Sequence, residues 1–260
     1  MGMERIIIFR FHDNPTICID RLRLIRKFNP GIAIYGIYGG DPERMGDFAG
    51  LGKYFEKLFS VANETADWKW KNSDLALRAW FGAVGKKVVF DMLHLIEWDL
   101  LLFDSIDVLY RDIPADALGL TALVPLNSVE KKWVWTSRDP YVSEWRQLLA
   151  LAKDGYGYSQ KPMASLGPGC CLPRSFLERY CALDVPSLCH DELRLPLFGQ
   201  VLGFKLVDTG FYKKWFDEGE NRFFNCLDME IDPAVIVAEL EKNGGRRAFH
   251  PFRKLSAFQI

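Results

Sequence analysis

Two acidic pairs and one histidine are the residues of this chain best suited to chemistry. Glu97 and Asp99 flank Trp98 inside an apolar run, HLIEWDLLLFDS, over 94–105. In a strand, positions 97 and 99 point to the same side, so both acids should lie together near the strand's C-terminal end. Carboxylates pressed together repel, and one must change its pKa unless a cation lies nearby. A divalent ion resolves the conflict, and oxygen ligands suit Mg²⁺ or Mn²⁺. A half-exposed strand, or a Glu paired with an Arg, would produce the same letters. The second pair, Asp191 and Glu192 in HDELRLP (190–196), could take a proton from a hydroxyl within reach, or could be the N-terminal acids of a helix. His250 stands in RRAFHPFR (246–253), with Arg246, Arg247, Arg253 and Lys254 close by. Such cations offset phosphate charge. Between Phe249 and Phe252, the histidine also reads as a structural one.

These residues need a frame. RIIIFRF (5–11) is a β-branched and aromatic run and predicts a buried first strand. Ile19, Leu22, Ile25 and Phe28 fall at helical spacing over 18–28, and IAIYGIYGG (32–40) predicts a second strand. Strand, helix, strand in so short a span is a βαβ unit and implies parallel pairing. Residues 54–61 fit a helix or a strand. Residues 71–85 predict a helix capped at Asn72 or Ser73 and closed by Gly85, and the acidic strand follows. A strand over 121–126, a helix over 143–157, and a helix and strand within 191–209 complete the pattern. Asp74 and Arg78, four apart, share a helix face, as a surface ion pair does. His12, Asp13 and Asn14 are turn formers. Trp68, Trp70, Trp133, Trp135 and Trp145 could line a groove, though core packing accounts for most of them.

The 260 residues, 49% of them apolar, suffice for a sizeable core. A net charge of −1 argues against a nucleic-acid binder working through a large basic surface. The six cysteines include no CxxC pair, and no apolar run is long enough for a membrane span. The opening MGMERIIIFRF has no signal-peptide pattern, so the expectation is a reduced, cytoplasmic protein.

Taken in order, these elements resemble the GT-A superfamily of nucleotide-sugar-dependent glycosyltransferases. In that family an acidic Asp-x-Asp motif closes the nucleotide-binding half and holds a divalent cation against the donor diphosphate. IEWDLLL looks like this motif with Glu in its first position, which leaves Asp99 as the better direct ligand and Glu97 as its support. The resemblance implies one α/β domain over 1–260, with a mixed, mostly parallel central sheet flanked by helices. Residues 1–110 would bind the nucleotide-sugar and 111–260 the acceptor. Phe11, His12, Asp13 and Asn14 would seat base and ribose. Asp74 and Arg78 would face the nucleotide, with Glu97, Trp98 and Arg253 also at the donor. His250 would join Asp99 and Glu97 at the metal, Mn²⁺ or Mg²⁺. GPGCCLPR (167–174), through Gly169, would let donor sugar approach the backbone, as glycine permits. Asp191, or else Glu192, would be the acceptor base of an inverting transfer, with a UDP-sugar the favoured donor and a hydroxyl compound the acceptor. The rivals are a nucleotidyltransferase, which would want an early glycine-rich loop that FRFHDNP lacks, and a non-catalytic α/β binding domain.

Overall fold

A computed structural model describes residues 2–256 and 258. The chain runs β1 (Arg5–Phe11), α1 (Pro15–Phe28), β2 (Ala33–Tyr38), β3 (Lys57–Ser60), α2 (Ala66–Lys71), α3 (Ser73–Ala83), β4 (Met92–Glu97), β5 (Leu101–Leu102), α4 (Ile106–Leu109) and β6 (Ala117–Pro125). It continues through α5 (Val134–Ser137), α6 (Tyr141–Tyr156), β7 (Met163–Pro173), α7 (Arg174–Cys181), α8 (Asp191–Val201), β8 (Lys205–Asp208), α9 (Glu218–Asn221), α10 (Pro233–Leu240) and β9 (Ala248–Phe249). Seven strands form one sheet in the order β3-β2-β1-β4-β7-β6-β8. β7 runs antiparallel to both its neighbours, and the other four pairings are parallel. This is the mixed, mostly parallel α/β sheet expected from the resemblance, and the βαβ opening supplies its parallel β1–β2 pair.

Alternation along β1 divides the core. Ile6 and Ile8 pack with Leu77 and Trp80 of α3, Leu148 of α6, Phe176 of α7 and Leu193 of α8. Ile7, Phe9 and Phe11 pack on the other face with Ile17, Leu22 and Ile25 of α1. A period of two in the strand thus meets a period of 3.6 in the helices on each side. Residues 57–60 are a strand, parallel to β2. Helix α1 starts at Pro15, three residues ahead of its apolar stripe, because Asn14 caps it in the left-handed region and accepts from the Ile17 N–H. Helix α6 ends on Gly157, at φ 66°. Among the described residues no helix is long and apolar enough to cross a membrane.

The acidic strand departs from expectation. β4 stops at Glu97, and Trp98 and Asp99 belong to a turn closed by the Leu100 N–H donating to the Glu97 carbonyl. Strand alternation therefore does not align the two carboxylates. The turn sends the chain into β5, which pairs antiparallel with β9, Leu101 opposite Phe249. That short pairing lays the C-terminal segment beside the end of β4.

Candidate active site

Open parallel sheets bind ligands beyond the C-terminal ends of their strands. Here a cleft of about 600 Å³ opens there, past β1 and β4. That volume suits a drug-sized or nucleotide-sized ligand.

One pole of the cleft is built on Glu97 and Asp99. Parallel register sets Arg10 beside Glu97, and the guanidinium donates to Glu97 Oε1 at 2.8 Å. The same group reaches the Lys69 and Trp70 carbonyls at 2.7 and 3.2 Å, tying α2 to the cleft. Burial works against the Arg10 cation, yet Glu97, Asp191 and Asp99 raise its pKa above the ordinary value. Asp99 has its own partners. The β5–β9 pairing places His250 Nε2 3.4 Å from Asp99 Oδ1, and Arg253 Nε donates to Oδ2 at 3.1 Å across 154 residues of sequence. Burial opposes the Asp99 carboxylate, but His250 and Arg253 hold its pKa below the usual range. Separate cations, rather than one shared ion, relieve the repulsion expected between the two acids.

Whether a divalent ion fits is decided by the histidine. His250 Nδ1 lies 2.7 Å from the Asn225 carbonyl. An N–H there leaves Nε2 to share a proton with Asp99 or, once that proton is lost, to offer its lone pair to an ion, the arrangement that orients metal-bound histidines. Two ligand atoms on adjacent positions of one ion sit about 3 Å apart, given metal–ligand bonds near 2.1 Å. Asp99 Oδ1 and His250 Nε2 meet that spacing. Glu97 does not join them, since its carboxylate is held by Arg10. Among the described residues no group of three or more His, Cys, Asp or Glu is arranged around one ion. A fitted ion would therefore complete its shell with substrate oxygens and water, as Mg²⁺ does beside phosphates.

The other pole is the start of α8. Cys189 takes φ 62°, unusual for a side chain with a Cβ, and turns the chain into the helix. The turn is fastened on both sides. Arg194 Nη1 donates to the Leu188 and Cys189 carbonyls at 2.7 and 2.9 Å, and the Cys189 N–H donates to Glu144 at 2.9 Å. His190 follows as the N-cap. Its Nδ1 lies 2.8 Å from Asp191 Oδ1 and 3.6 Å from Glu192 Oε2. The Glu192 N–H also points at this nitrogen, from 3.4 Å. Nδ1 thus faces a carboxylate at 2.8 Å and a backbone donor at 3.4 Å, and a proton on it would serve the nearer of the two. The ring stacks on Trp135 at 4.3 Å, while Trp70 stands edge-on at 5.3 Å. Glu192 accepts from Trp135 Nε1 at 2.8 Å and from the Gly167 N–H at 2.9 Å.

The cleft thus gathers His12, Asp13, Glu97, Trp98, Asp99, Asp191, Glu192, His250 and Arg253 from the sequence reading. It does not gather the rest. Asp74 is fully buried in a pair with Arg194, which donates to it through Nε at 2.7 Å, and Tyr180 donates to the same oxygen. No free face of Asp74 is left for a nucleotide. Arg78 points away, donating to the Leu183 carbonyl, so the expected Asp74–Arg78 face does not form. Phe11 is sealed in the core and Asn14 is spent on capping α1. The glycine-rich stretch is strand β7 running into α7. Gly167 and Pro168 reach the cleft from it, while Gly169 packs against Phe211 and Leu100. Of the five tryptophans, Trp70, Trp133 and Trp135 line the cleft. Sequence reasoning missed Arg10 and His190. For Arg10, the signal was a charge at the penultimate position of a buried strand. For His190, it was a ring nitrogen at an N-cap beside two acids.

No protein-family profile matches this chain, and no curated protein matches it in sequence. Among solved structures it is similar to an active-site mutant of LgtC, at 12% identity and a TM-score of 0.43, over 92% of this chain and 78% of that one. A likeness that distant carries no functional argument. The fold and the cleft must carry it instead.

Proposed function

We propose that this chain is a metal-dependent glycosyltransferase that moves a sugar from a nucleoside diphosphate sugar to an acceptor hydroxyl. The observation that supports this most is the meeting of two unlike poles in one cleft. Asp99 and His250 form a cation-holding pair with Arg10 and Arg253 beside it. His190, Asp191 and Glu192 form a proton-accepting cluster opposite, among aromatic walls.

Asp99 and His250 would hold Mn²⁺ or Mg²⁺, which when bound offsets charge on the leaving diphosphate. Arg253 and Arg10 add fixed positive charge at the same end. Preorganised charge of this kind is commonly the largest contribution to such catalysis. His12 and Asp13, in the turn after β1, are placed to meet the nucleoside. A UDP-sugar is the favoured donor. The α8 cluster removes the acceptor's proton as its oxygen attacks the anomeric carbon. A single displacement with the base opposite the leaving group inverts that carbon. Trp133 and Trp135, with Phe216 at the rim, offer flat apolar faces on which an acceptor can lie.

Calorimetric titration with UDP and with GDP, with and without Mn²⁺, tests the reading. Binding of one nucleotide that requires the ion is expected. Equal affinity after chelation would remove the metal from the proposal, and no binding of either nucleotide would remove the function.

A further inference from the structure

The α8 cluster holds three groups able to accept a proton, and their surroundings differ. Glu192 has both oxygens occupied, by Trp135 and by the Gly167 N–H. Asp191 is 2% exposed and lies against His190 Nδ1. Its Oδ1 makes no hydrogen bond among the described residues, although Nδ1 lies 2.8 Å away. His190 has a side chain 9% exposed and lines the cleft, and its second nitrogen, Nε2, has no hydrogen-bond partner among the described residues. A buried nitrogen left without a partner is costly, and such groups call for an explanation in a native fold. A substrate hydroxyl supplies one.

We propose that His190 Nε2 takes the proton of the attacking acceptor hydroxyl, with Asp191 orienting the ring from Nδ1 and Trp70 covering it until the acceptor arrives. The proposal rests on the glycosyl-transfer reading above. The spacing is that of a histidine–carboxylate dyad: with the ring proton on Nδ1, drawn by the Asp191 charge 2.8 Å away against the Glu192 N–H at 3.4 Å, Nε2 is left to act as base. Stacking on Trp135 fixes the ring plane, and the fastened turn at Cys189 fixes its position. Trp70 is the remaining ring in contact with His190 among the described residues, and it is 49% exposed. Arg10 pins its backbone carbonyl, so only its side chain has to swing. In the step itself, the acceptor oxygen bonds to the anomeric carbon and the carbon–diphosphate bond breaks. The diphosphate leaves with the electron pair, and the hydroxyl proton passes to Nε2. Until then the covered nitrogen is withheld from water, which limits wasteful hydrolysis of the donor.

The charged groups around the ring are Asp191, Glu192 and Arg194 of its own helix, with Arg10 of β1 acting on Asp191. Trp135 and Trp70 contribute uncharged faces. Burial lowers the His190 pKa, Asp191 and Glu192 raise it more, and Arg194 opposes them, so the result lies above the ordinary 6.5. Protonated His190 cannot accept a proton. Turnover should therefore fall as pH drops through that raised value.

The test uses release of UDP or GDP from a panel of UDP- and GDP-sugars with Mn²⁺, water serving as acceptor, because the hydroxyl acceptor is unidentified. His190→Asn and His190→Gln should each lose about 10²–10⁴-fold in turnover, the range of general base catalysis, with nucleotide affinity retained. Asp191→Asn should retain more activity and move the acid limb of the rate profile to lower pH. Trp70→Ala should raise the rate with water. The chain has four histidines, so ring NMR can follow His190 directly, and its pKa should fall in Asp191→Asn. A His190→Asn protein that melts like wild type, turns over within threefold of it and keeps the acid limb would overturn the assignment. So would an unchanged His190 titration in Asp191→Asn. If wild type releases no nucleotide from any donor, the glycosyl-transfer reading falls and this proposal with it.

Discussion

Asp74 and Asp99 are both buried aspartates paired with an arginine far away in sequence, and they do opposite things. Asp74 meets Arg194 with both side chains wholly buried. Tyr180 and Asn72 complete the set, Tyr180 donating to Asp74 and Asn72 accepting from Arg194. Every strong donor there has a protein acceptor. Asp99 meets Arg253, which is 39% exposed, and a histidine at 3.4 Å, longer than a good hydrogen bond. A closed network fixes a fold, because breaking it strands a charge. An open one is loose enough for something else to enter.

Three substitutions sharpen this contrast. Asp74→Ala should have the largest effect. It leaves Arg194 buried without its counter-charge and should cost about 3–5 kcal/mol, the usual consequence of breaking a buried pair. Denaturant unfolding measures it, and a loss under 1 kcal/mol would mean water reaches Arg194. The second is Asp99→Asn. Metal-dependent nucleotide affinity should fall by at least about 10–100-fold, the cost seen even for outer metal-site groups, with the unfolding midpoint little changed. A sharp loss of stability with intact affinity would show that Asp99 is another Asp74. His250→Ala should act in the same direction but less, since Arg253 still braces Asp99. Its donor affinity should drop more than its melting temperature, and the reverse ranking would return His250 to the core.

Much of the frame was legible because it rests on local pattern. The β-branched run at 5–11, the helical stripe at 18–28 and the glycine stop at 157 each signal an element without help from distant chain. Asp191 and Glu192 at the start of α8 were legible for the same reason. The failures share a cause too. Nothing near Asp74 says that Arg194, 120 residues on, will claim it. Nothing near Glu97 says that register will put Arg10 opposite. The strand assigned through Asp99 failed at its end, where Leu100 turns back on Glu97 by a bond of local geometry that leaves no mark in the hydropathy. For His190 the two adjacent acids were a signal, but the unpaired Nε2 that sets it apart is a matter of tertiary packing.

The β5–β9 pairing has a consequence for assembly. β9 adds nothing to the seven-stranded sheet and is laid down last in the chain. All seven strands of the main sheet precede Ala248 in the chain. A chain ending at Gly245 would keep every strand of the main sheet and lack both His250 and Arg253. The main sheet and the Asp99 pole of the cleft therefore rest on different stretches of the chain. The Asp99 end of the cleft is thus completed by the last stretch of the chain, held there by a two-residue ladder rather than by the main sheet.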